Sequence, residues 1–244
     1  MFETLSTSLA SYLKESVEFQ AFEAGGFWAP TILASIGVVI TSCMEIWGLW
    51  QQAMELKRER SGESVSVTLF YFTAWYFLVC GIYGAYVPSL SALFSGVSTA
   101  VVQIPILWYL WRFKKFRWWE KLLACAFPLM PLALVLVPAQ WRDTLYSVLA
   151  VSAGAAWGAQ PWELWVTKKS GVVNPALFGV WLVTTSVWMW FVLSVGNIPL
   201  IINQITATTM IVATIVLWCW YRAREPNPPQ MLCWFQQLVR RVLA

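Results

Sequence analysis

The sequence has no histidine and few charged side chains. Only 11% of its 244 residues are Asp, Glu, Lys or Arg, whereas 59% are hydrophobic; a soluble domain carries about 25% charged residues. The lack of charge excludes an ordinary water-soluble globule, and the lack of histidine excludes a histidine base or metal ligand. The five cysteines are scattered without the spacing of a metal site. We therefore expect neither a metal nor a cofactor.

Long runs without any charge are what the sequence has instead. Five such stretches lie between charged residues, and the two longest have 48 and 52 residues. Because a helical membrane span needs about 20 apolar residues, these two hold two spans each and the others one. The prediction is an all-α polytopic membrane protein with seven transmembrane helices, at 27–54, 67–87, 89–111, 121–139, 144–166, 175–195 and 199–221.

The basic residues predict the orientation of these spans. With seven spans, 14 of the 16 Lys and Arg residues fall in the loops of one side, and only Lys14 and Arg142 fall on the other. Since positive loops stay in the cytoplasm, we expect the N-terminus outside, the C-terminus cytoplasmic, and the chain in the cell membrane. The net charge of +4 then fits lipid headgroups, and nucleic-acid binding is not expected.

Both ends of the chain are predicted to lie on the membrane surface. The first 26 residues lack the basic start and apolar core of a cleavable signal peptide. Their apolar side chains recur at helical spacing, at Phe2, Leu5, Leu9, Tyr12 and Leu13, which predicts an external amphipathic segment at 1–26. A second amphipathic helix is expected at 231–243, in a cytoplasmic tail that covers 223–244.

A pattern recurs along the chain after about 110 residues. Gln51-Gln52, a basic cluster and Ser61-Gly62 return as Gln160-Pro161, Lys168-Lys169 and Ser170-Gly171, and Pro88 returns as Pro199. The simplest division is a three-helix repeat at 27–112, a basic loop and linker helix at 113–142, and a second three-helix repeat at 143–222. Because three crossings are odd, one extra helix makes the two bundles parallel, and such bundles enclose a pathway.

The motifs of the second repeat resemble those of a known family. Gln160-Pro161, Thr167-Lys168-Lys169-Ser170, Asn174-Pro175, Trp188, Pro199, Asn203 and Trp220-Tyr221 follow one another as in the second repeat of the PQ-loop family, which includes the SWEET sugar facilitators. The first repeat is similar in layout, with Ser61-Gly62, Tyr83-Gly84, Pro88 and Gln103. The resemblance covers roughly residues 30–222 and implies the same 3+1+3 arrangement of helices.

The resemblance implies a hinge in each repeat, at Gln51 and Gln52 and at Gln160 and Pro161. A proline frees a backbone carbonyl and lets a helix bend. The chain departs from the family's Pro-Gln pair in both repeats, because the first has no proline and the second has the reversed order.

The resemblance also implies that Asn203 and Trp188 line a substrate pocket. In the first repeat, Ser91 and Ala92 occupy the region that matches Asn203, and Cys80 stands near the match to Trp188. Thr184 lies one helical turn before Trp188 and adds a hydroxyl. Aromatic faces bind sugar C–H surfaces, planar rings and cations alike. An alternative for Asn203 is an interhelical hydrogen bond that only packs helices.

Glu45 is a carboxylate inside a predicted membrane span. It lies two helical turns before Gln52, too deep in the first span to reach the interface easily. The functional interpretation is a counter-ion for a cationic substrate or a carrier of protons; the alternative is a neutral carboxyl that only packs. Glu163 lies nearer the inner surface, where coupling and an ion pair with Lys168 or Lys169 are equally good expectations.

The leading hypothesis is a transporter of a small polar solute by alternating access, with proton coupling or cation selectivity through Glu45. An uncoupled sugar facilitator, or a receptor or accessory subunit that moves no solute, are the alternatives. A retinal protein is rejected because no lysine lies in mid-span, and an enzyme is not expected because the spans lack paired carboxylates or a Ser-Lys arrangement. The expected partners are a small-molecule substrate and membrane lipids; a homo-oligomer stays open, as does the choice among sugar, amino acid, vitamin and nucleoside.

Overall fold

The computed structural model describes residues 2–196 and 198–225, and all the regular structure in these residues is helical. The α-helices are α1 (Phe2–Glu15), α2 (Val17–Gly25), α3 (Pro30–Glu59), α4 (Val67–Tyr86), α5 (Leu90–Phe113), α6 (Trp118–Ala126), α7 (Leu129–Leu136), α8 (Ala139–Trp157), α9 (Ala159–Thr167), α10 (Pro175–Val195) and α11 (Ile198–Arg222). A 3-10 turn, Gly26–Trp28, joins α2 to α3. The amphipathic helix predicted at 231–243 lies outside the described residues.

Six helical segments among the described residues are long and apolar enough to cross a membrane. They are α3, α4, α5, the α6–α7 pair, α10 and α11. The chain is therefore an integral, multi-pass membrane protein. The span predicted at 144–166 is not among the six; it corresponds to α8 and α9, which are two shorter helices.

The fourth and fifth predicted spans were each expected to be one helix, but both are broken in the middle. The break between α6 and α7 falls at Phe127 and Pro128, because a proline cannot donate the backbone hydrogen bond that would continue α6. The break between α8 and α9 falls at Gly158, so that Pro161 lies in the first turn of α9, where its missing N–H costs nothing.

The first span extends beyond its predicted end at residue 54. α3 continues to Glu59 and ends at Arg60, whose backbone is left-handed. Charged side chains therefore end the apolar part of this helix and not the helix itself. α3 also runs without a break through Gln51 and Gln52, so a bend in the helix is seen near the glutamine of the second repeat alone.

The helices pack as two similar bundles. In the first, α5 packs against both α3 and α4; in the second, α11 packs against α10 and against α8 and α9. The bundles meet where α3 packs on α10 and where α4 packs on α8, and α6–α7 lies against α4. Each bundle thus places its third helix between the first two. In both contacts between the bundles, the first helix of one bundle packs against the second helix of the other. Two equivalent contacts of this kind are what a pseudo-two-fold axis requires.

Two ends of the molecule can be told apart. At one, here called the basic end, the loops 60–66, 114–117 and 168–174 touch one another, and residues 222–225 join them through Ser170 and Glu225. At the opposite end, the turn 87–89 lies beside α2, and the start of α8 contacts the end of α4. α8 and α9 together therefore extend from the opposite end to the basic end.

The N-terminal segment is fastened to the opposite end by the Glu18 carboxylate, by the Val17 N–H, which donates to the Pro88 carbonyl, and by the Tyr12 hydroxyl, which donates to the Gly84 carbonyl. Glu18 on α2 accepts hydrogen bonds from the backbone N–H groups of Leu90 and Ser91 and from the hydroxyls of Ser89 and Ser91, at 2.7 to 3.1 Å. An anion is favourable there because the first N–H groups of α5 have no partner within the helix. The external segment contains two helices, since α1 ends at Glu15 and the Ser16 side chain caps α2.

The core lies between the bundles and towards the basic end. Its fully buried side chains include Leu49, Phe70, Leu110, Leu177 and Trp181, which come from four different helices. The buried polar residues Glu45, Thr184 and Asn203 lie beyond this core, farther from the basic end.

Candidate functional site

A small cavity lies between the two bundles, and its polar side chains come from both. It has a volume of about 50 Å³, which is room for a few water molecules. All four residues predicted to bind substrate, Glu45, Thr184, Trp188 and Asn203, line it. The structure therefore brings together residues that are up to 158 positions apart in the sequence.

Glu45 reaches the cavity from a continuous buried stripe of α3. Val38, Ser42, Glu45, Leu49 and Gln52 follow one another at intervals of three or four residues, and each is at most 2% exposed. This spacing puts them on one face of the helix. The carboxyl oxygen Oε2 of Glu45 has no hydrogen-bond partner among the described residues.

α10 and α11 supply the second repeat's part of the cavity. Thr184 and Trp188 lie one turn apart on α10, and Asn203 and Gln204 lie on the first turns of α11. Within the described residues, the Thr184 hydroxyl, the Asn203 side-chain oxygen and the Gln204 side-chain oxygen have no hydrogen-bond partner. Buried polar atoms are normally paired, so each of them marks a place where a solute or water is expected.

Several cavity residues are not indicated by any feature of the sequence used above. They are Tyr76, Ser95, Tyr146, Trp157, Trp181, Thr185 and Gln204. One signal was available: Tyr76 and Cys80 are 108 residues before Thr184 and Trp188, and all four line the cavity. The internal repeat could have found Tyr76 in this way. Trp181 could not be singled out, because the sequence holds 18 tryptophans.

Two glutamine side chains close the basic end in the same manner. Gln52 on α3 donates to the Val172 carbonyl (2.9 Å) and accepts from the Asn174 N–H (2.8 Å). Gln160 on α9 donates to the Ser64 carbonyl (2.7 Å) and accepts from the Ser66 N–H (2.8 Å). Every member of the second set differs from its counterpart by 108 residues.

We call these two pairs of hydrogen bonds the glutamine clasps. Each glutamine belongs to one repeat and holds the loop of the other, so the clasps join the bundles and not the helices within a bundle. Gln51, the neighbouring predicted hinge residue, makes no side-chain hydrogen bond to the described residues. Pro161 is buried directly after Gln160 in α9.

The loops held by the clasps also touch each other directly. The Val172 N–H donates to the Glu63 carbonyl (3.2 Å), and the Ser64 and Thr167 hydroxyls are 3.0 Å apart. Gly171 has a positive φ of 55°, and a Cβ there would lie 2.7 Å from Ser64 Cβ. Only glycine therefore permits this approach of the two loops.

Glu163 pairs with different basic residues from those expected. The structure places it 2.7 Å from Lys114 Nζ and 3.7 Å from Arg117 Nη1, whereas Lys169 pairs with Glu63 at 2.8 Å. The expected pair with Lys168 or Lys169 is wrong, because the loop after α5 folds over α9 and brings Lys114 closer. Lys114 also donates to the Val65 carbonyl at 2.6 Å, so it bridges both repeats.

The end of α11 is tied to the same loops through Glu225. Burial would raise the pKa of this carboxyl, but hydrogen bonds from the Ser170 N–H and hydroxyl and from Arg222 outweigh it and leave the pKa below its usual value. Glu225 is therefore ionised at neutral pH and holds the α9–α10 loop to the end of α11.

Aromatic rings close the opposite end of the cavity. Tyr83 on α4 stacks on Tyr146 on α8 with ring centroids 3.8 Å apart, and its hydroxyl donates to Asp143 (2.8 Å). Arg142 lies over the Tyr86 ring at 4.0 Å, a favourable cation–π distance. Both contacts join α4 of the first repeat to α8 of the second, so the cavity is closed at each end by contacts between repeats.

The described residues contain no group of three His, Cys, Asp or Glu side chains that could hold a metal ion. Cys80 and Tyr146 do meet in the cavity, where the tyrosine hydroxyl lies 3.7 Å from the sulfur.

Comparison with known proteins gives a structural similarity and no sequence match. Neither a family model nor a curated protein sequence matches the chain. Its fold is similar to that of "The 3.7 A resolution structure of a eukaryotic SWEET transporter", with a TM-score of 0.49 and 14% sequence identity, over 78% of this chain and 98% of the other.

Proposed function

We propose that the protein is a membrane transporter that moves a small polar solute by alternating access between its two three-helix bundles. The observation that carries the proposal is a buried polar cavity between the bundles with a separate closure at each end. In such a protein, opening one closure at a time exposes the cavity to one side of the membrane and then to the other.

The proposal includes seven crossings, with α8 and α9 together as the fifth. Asp143 near the start of α8 contacts Tyr83 at the opposite end, and Gln160 on α9 contacts the 64–66 loop at the basic end. A segment that joins both ends of the molecule crosses the membrane. Because Lys and Arg are concentrated at the basic end, that end faces the cytoplasm and the N-terminus faces outside.

Glu45, Asn203, Trp188 and Thr184 are proposed to contact the solute, and the glutamine clasps with Pro161 are proposed to form the inner gate. Four hydrogen bonds across the clasps hold this gate closed. The break at Gly158 gives the second repeat a point about which α9 can move relative to α8. Glu163, paired to Lys114, belongs to the inner gate rather than to the cavity.

The carboxylate in the cavity favours a transporter that handles a positive charge. Glu45 has no lysine or arginine among the residues that share the cavity with it, so its charge is compensated by a proton or by a cationic solute. A facilitator of neutral sugars needs neither, which places the uncoupled sugar facilitator second.

Flux into liposomes tests the proposed function. The purified protein, reconstituted in proteoliposomes, is expected to equilibrate at least one labelled small solute from a panel of sugars, amino acids and amines, with and without an imposed pH gradient. Equal uptake in both conditions, by the wild type and by Glu45→Gln, would remove proton coupling. No flux of any solute, together with a partner that co-purifies in fixed stoichiometry, would favour a receptor or accessory subunit instead.

A further inference from the structure

Six oxygen atoms that line the cavity have no hydrogen-bond partner among the described residues. Three belong to the hydroxyls of Tyr76, Ser95 and Thr184, which can donate as well as accept, and three belong to carboxyl or amide groups. Glu45 Oε2, Asn203 Oδ1 and Gln204 Oε1 are buried and accept no hydrogen bond from the described residues. The first belongs to α3 and the other two to α11, so they approach the cavity from different repeats. Their side chains are 2%, 4% and 9% exposed.

The three carboxyl and amide oxygens need hydrogen-bond donors, and the carboxylate also needs a positive charge, which the neutral hydroxyls and the Trp181 N–H of the cavity do not supply. An ionised carboxylate accepts hydrogen bonds but donates none, and leaving its oxygen unpaired in a buried site is costly. The residues that line the cavity include no Lys or Arg. A group that supplies several N–H donors and one positive charge meets both needs.

The walls of the cavity suit the same group. Trp157, Trp181 and Trp188 line it, and the first two are in edge contact with ring centroids 4.8 Å apart. An indole ring attracts a cation above its face, and most strongly where water is excluded. The volume of about 50 Å³ accepts a small head group while the closures are shut.

We propose that the transported solute carries a protonated primary amine, and that its ammonium group is held by Glu45, Asn203 and Gln204. An ammonium has three N–H donors, one for each of the three oxygens. The ligand therefore bridges α3 of the first repeat and α11 of the second, and it is held by both halves of the transporter. This inference rests on the proposed function, because it names the substrate class of the same cavity.

Matched pairs of probes separate the amine from a neutral solute. 2-Aminoethanol and ethane-1,2-diol differ in one ammonium, as do glucosamine and glucose. The thermal unfolding midpoint of the purified protein is expected to rise with each amine and not with its neutral counterpart, because a ligand that binds the folded state stabilises it. Uptake of labelled 2-aminoethanol into proteoliposomes is expected to exceed uptake of ethane-1,2-diol above protein-free vesicles.

Variants of the three oxygens test the assignment of the site. Glu45→Gln keeps the shape and removes the charge, and it is expected to weaken 2-aminoethanol binding by about tenfold or more. Glu120→Gln is the matched control: Glu120 is 1% exposed but lies on α6, outside the cavity, where it accepts from the Arg117 N–H. It is expected to leave amine binding unchanged. Gln204→Met removes a second oxygen with little change in volume, and serves if Glu45→Gln does not fold.

The outcomes distinguish this inference from the function on which it rests. If glucose or ethane-1,2-diol binds and is taken up while the amines neither bind nor enter, the amine site is overturned and the proposed transport function still stands. Binding of the amines that depends on Glu45, without any uptake, would uphold the amine site and contradict transport. Amine binding that Glu45→Gln and Gln204→Met leave unchanged would overturn the proposed site.

Discussion

Lys114 and Glu163 form the most buried ion pair among the described residues. Their side chains are 13% and 6% exposed, whereas those of Lys169 and Glu63 are 61% and 48% exposed. Removing one partner of a buried pair leaves the other as an uncompensated charge, which costs about 3–5 kcal/mol. An exposed pair contributes less than about 1 kcal/mol. The two lysines therefore provide a matched comparison at the same end of the molecule.

Lys114→Met is expected to destabilise the protein by about 3 kcal/mol, because it leaves Glu163 without its nearest cation and Val65 without its donor. Lys169→Met is expected to change stability by less than about 1 kcal/mol. Unfolding of the detergent-solubilised variants by heat or denaturant measures both. The double variant Lys114→Met with Glu163→Gln is expected to lose less than the sum of its single variants, since neither charge is then stranded. Additive losses would mean that the pair makes no net contribution.

Single residues of the cavity differ in how far sequence could identify them. Glu45 was identifiable because a lone carboxylate deep in a span is costly, and Asn203 and Trp188 because of the motif that they share with a family. Tyr146 and Trp181 carry no such mark. The partner of Glu163 was predicted wrongly, since the fold of the 114–117 loop is a tertiary feature that charge spacing along the chain does not encode.

The contact between α4 and α5 depends on a glycine, which has no side chain. Gly96 on α5 packs directly on the backbone of α4, and a Cβ at this position would lie 2.6 Å from both Gly81 Cα and the Phe77 carbonyl oxygen. Neither backbone atom can move aside cheaply. Small residues allow such close contact between membrane helices, where van der Waals packing drives association.

Gly96→Ala is expected to destabilise the first bundle by at least about 2 kcal/mol, because α4 and α5 must move apart to accommodate the methyl group. Gly179→Ala on α10 is the control: apart from its chain neighbours and the nearby backbone of α10, no described atom lies within 4 Å of the added Cβ, and alanine favours a helix over glycine by about 1 kcal/mol. Thermal unfolding of both variants in the same detergent measures the difference. Equal midpoints would contradict the close packing of α4 on α5.

The sequence predicted the presence of the membrane helices better than their ends and breaks. Counting uncharged stretches found each of the six apolar segments, because charge inside a membrane is costly whatever the tertiary structure. The same count placed the end of α3 too early, at residue 54. A helix can continue beyond the membrane into water, where charged residues such as Lys57 and Glu59 are favourable. The count also missed the breaks at Pro128 and Gly158, where backbone hydrogen bonding and not hydropathy decides.

The whole molecule is held at its basic end by two equivalent clasps. Gln52 and Gln160 make the same pair of hydrogen bonds to loops of the opposite repeat. Pseudo-two-fold symmetry therefore predicts that either glutamine contributes a similar amount to closure of the proposed inner gate. A pair of neutral hydrogen bonds contributes about 2 kcal/mol.

Gln52→Ala and Gln160→Ala are each expected to raise the population open at the basic end by roughly 30-fold or less, because each removes one clasp. Cys80, which lines the cavity, reports the opening in a variant that keeps it as the sole cysteine: a membrane-impermeant maleimide added to the basic side labels it faster. Gln51→Ala is the control, since Gln51 is the neighbouring residue of α3 and takes no part in a clasp. Similar acceleration by both clasp variants supports a symmetric gate. Acceleration by one of them alone would mean that a single repeat controls the gate, and faster labelling from the opposite side would mean that the clasps do not close the basic end.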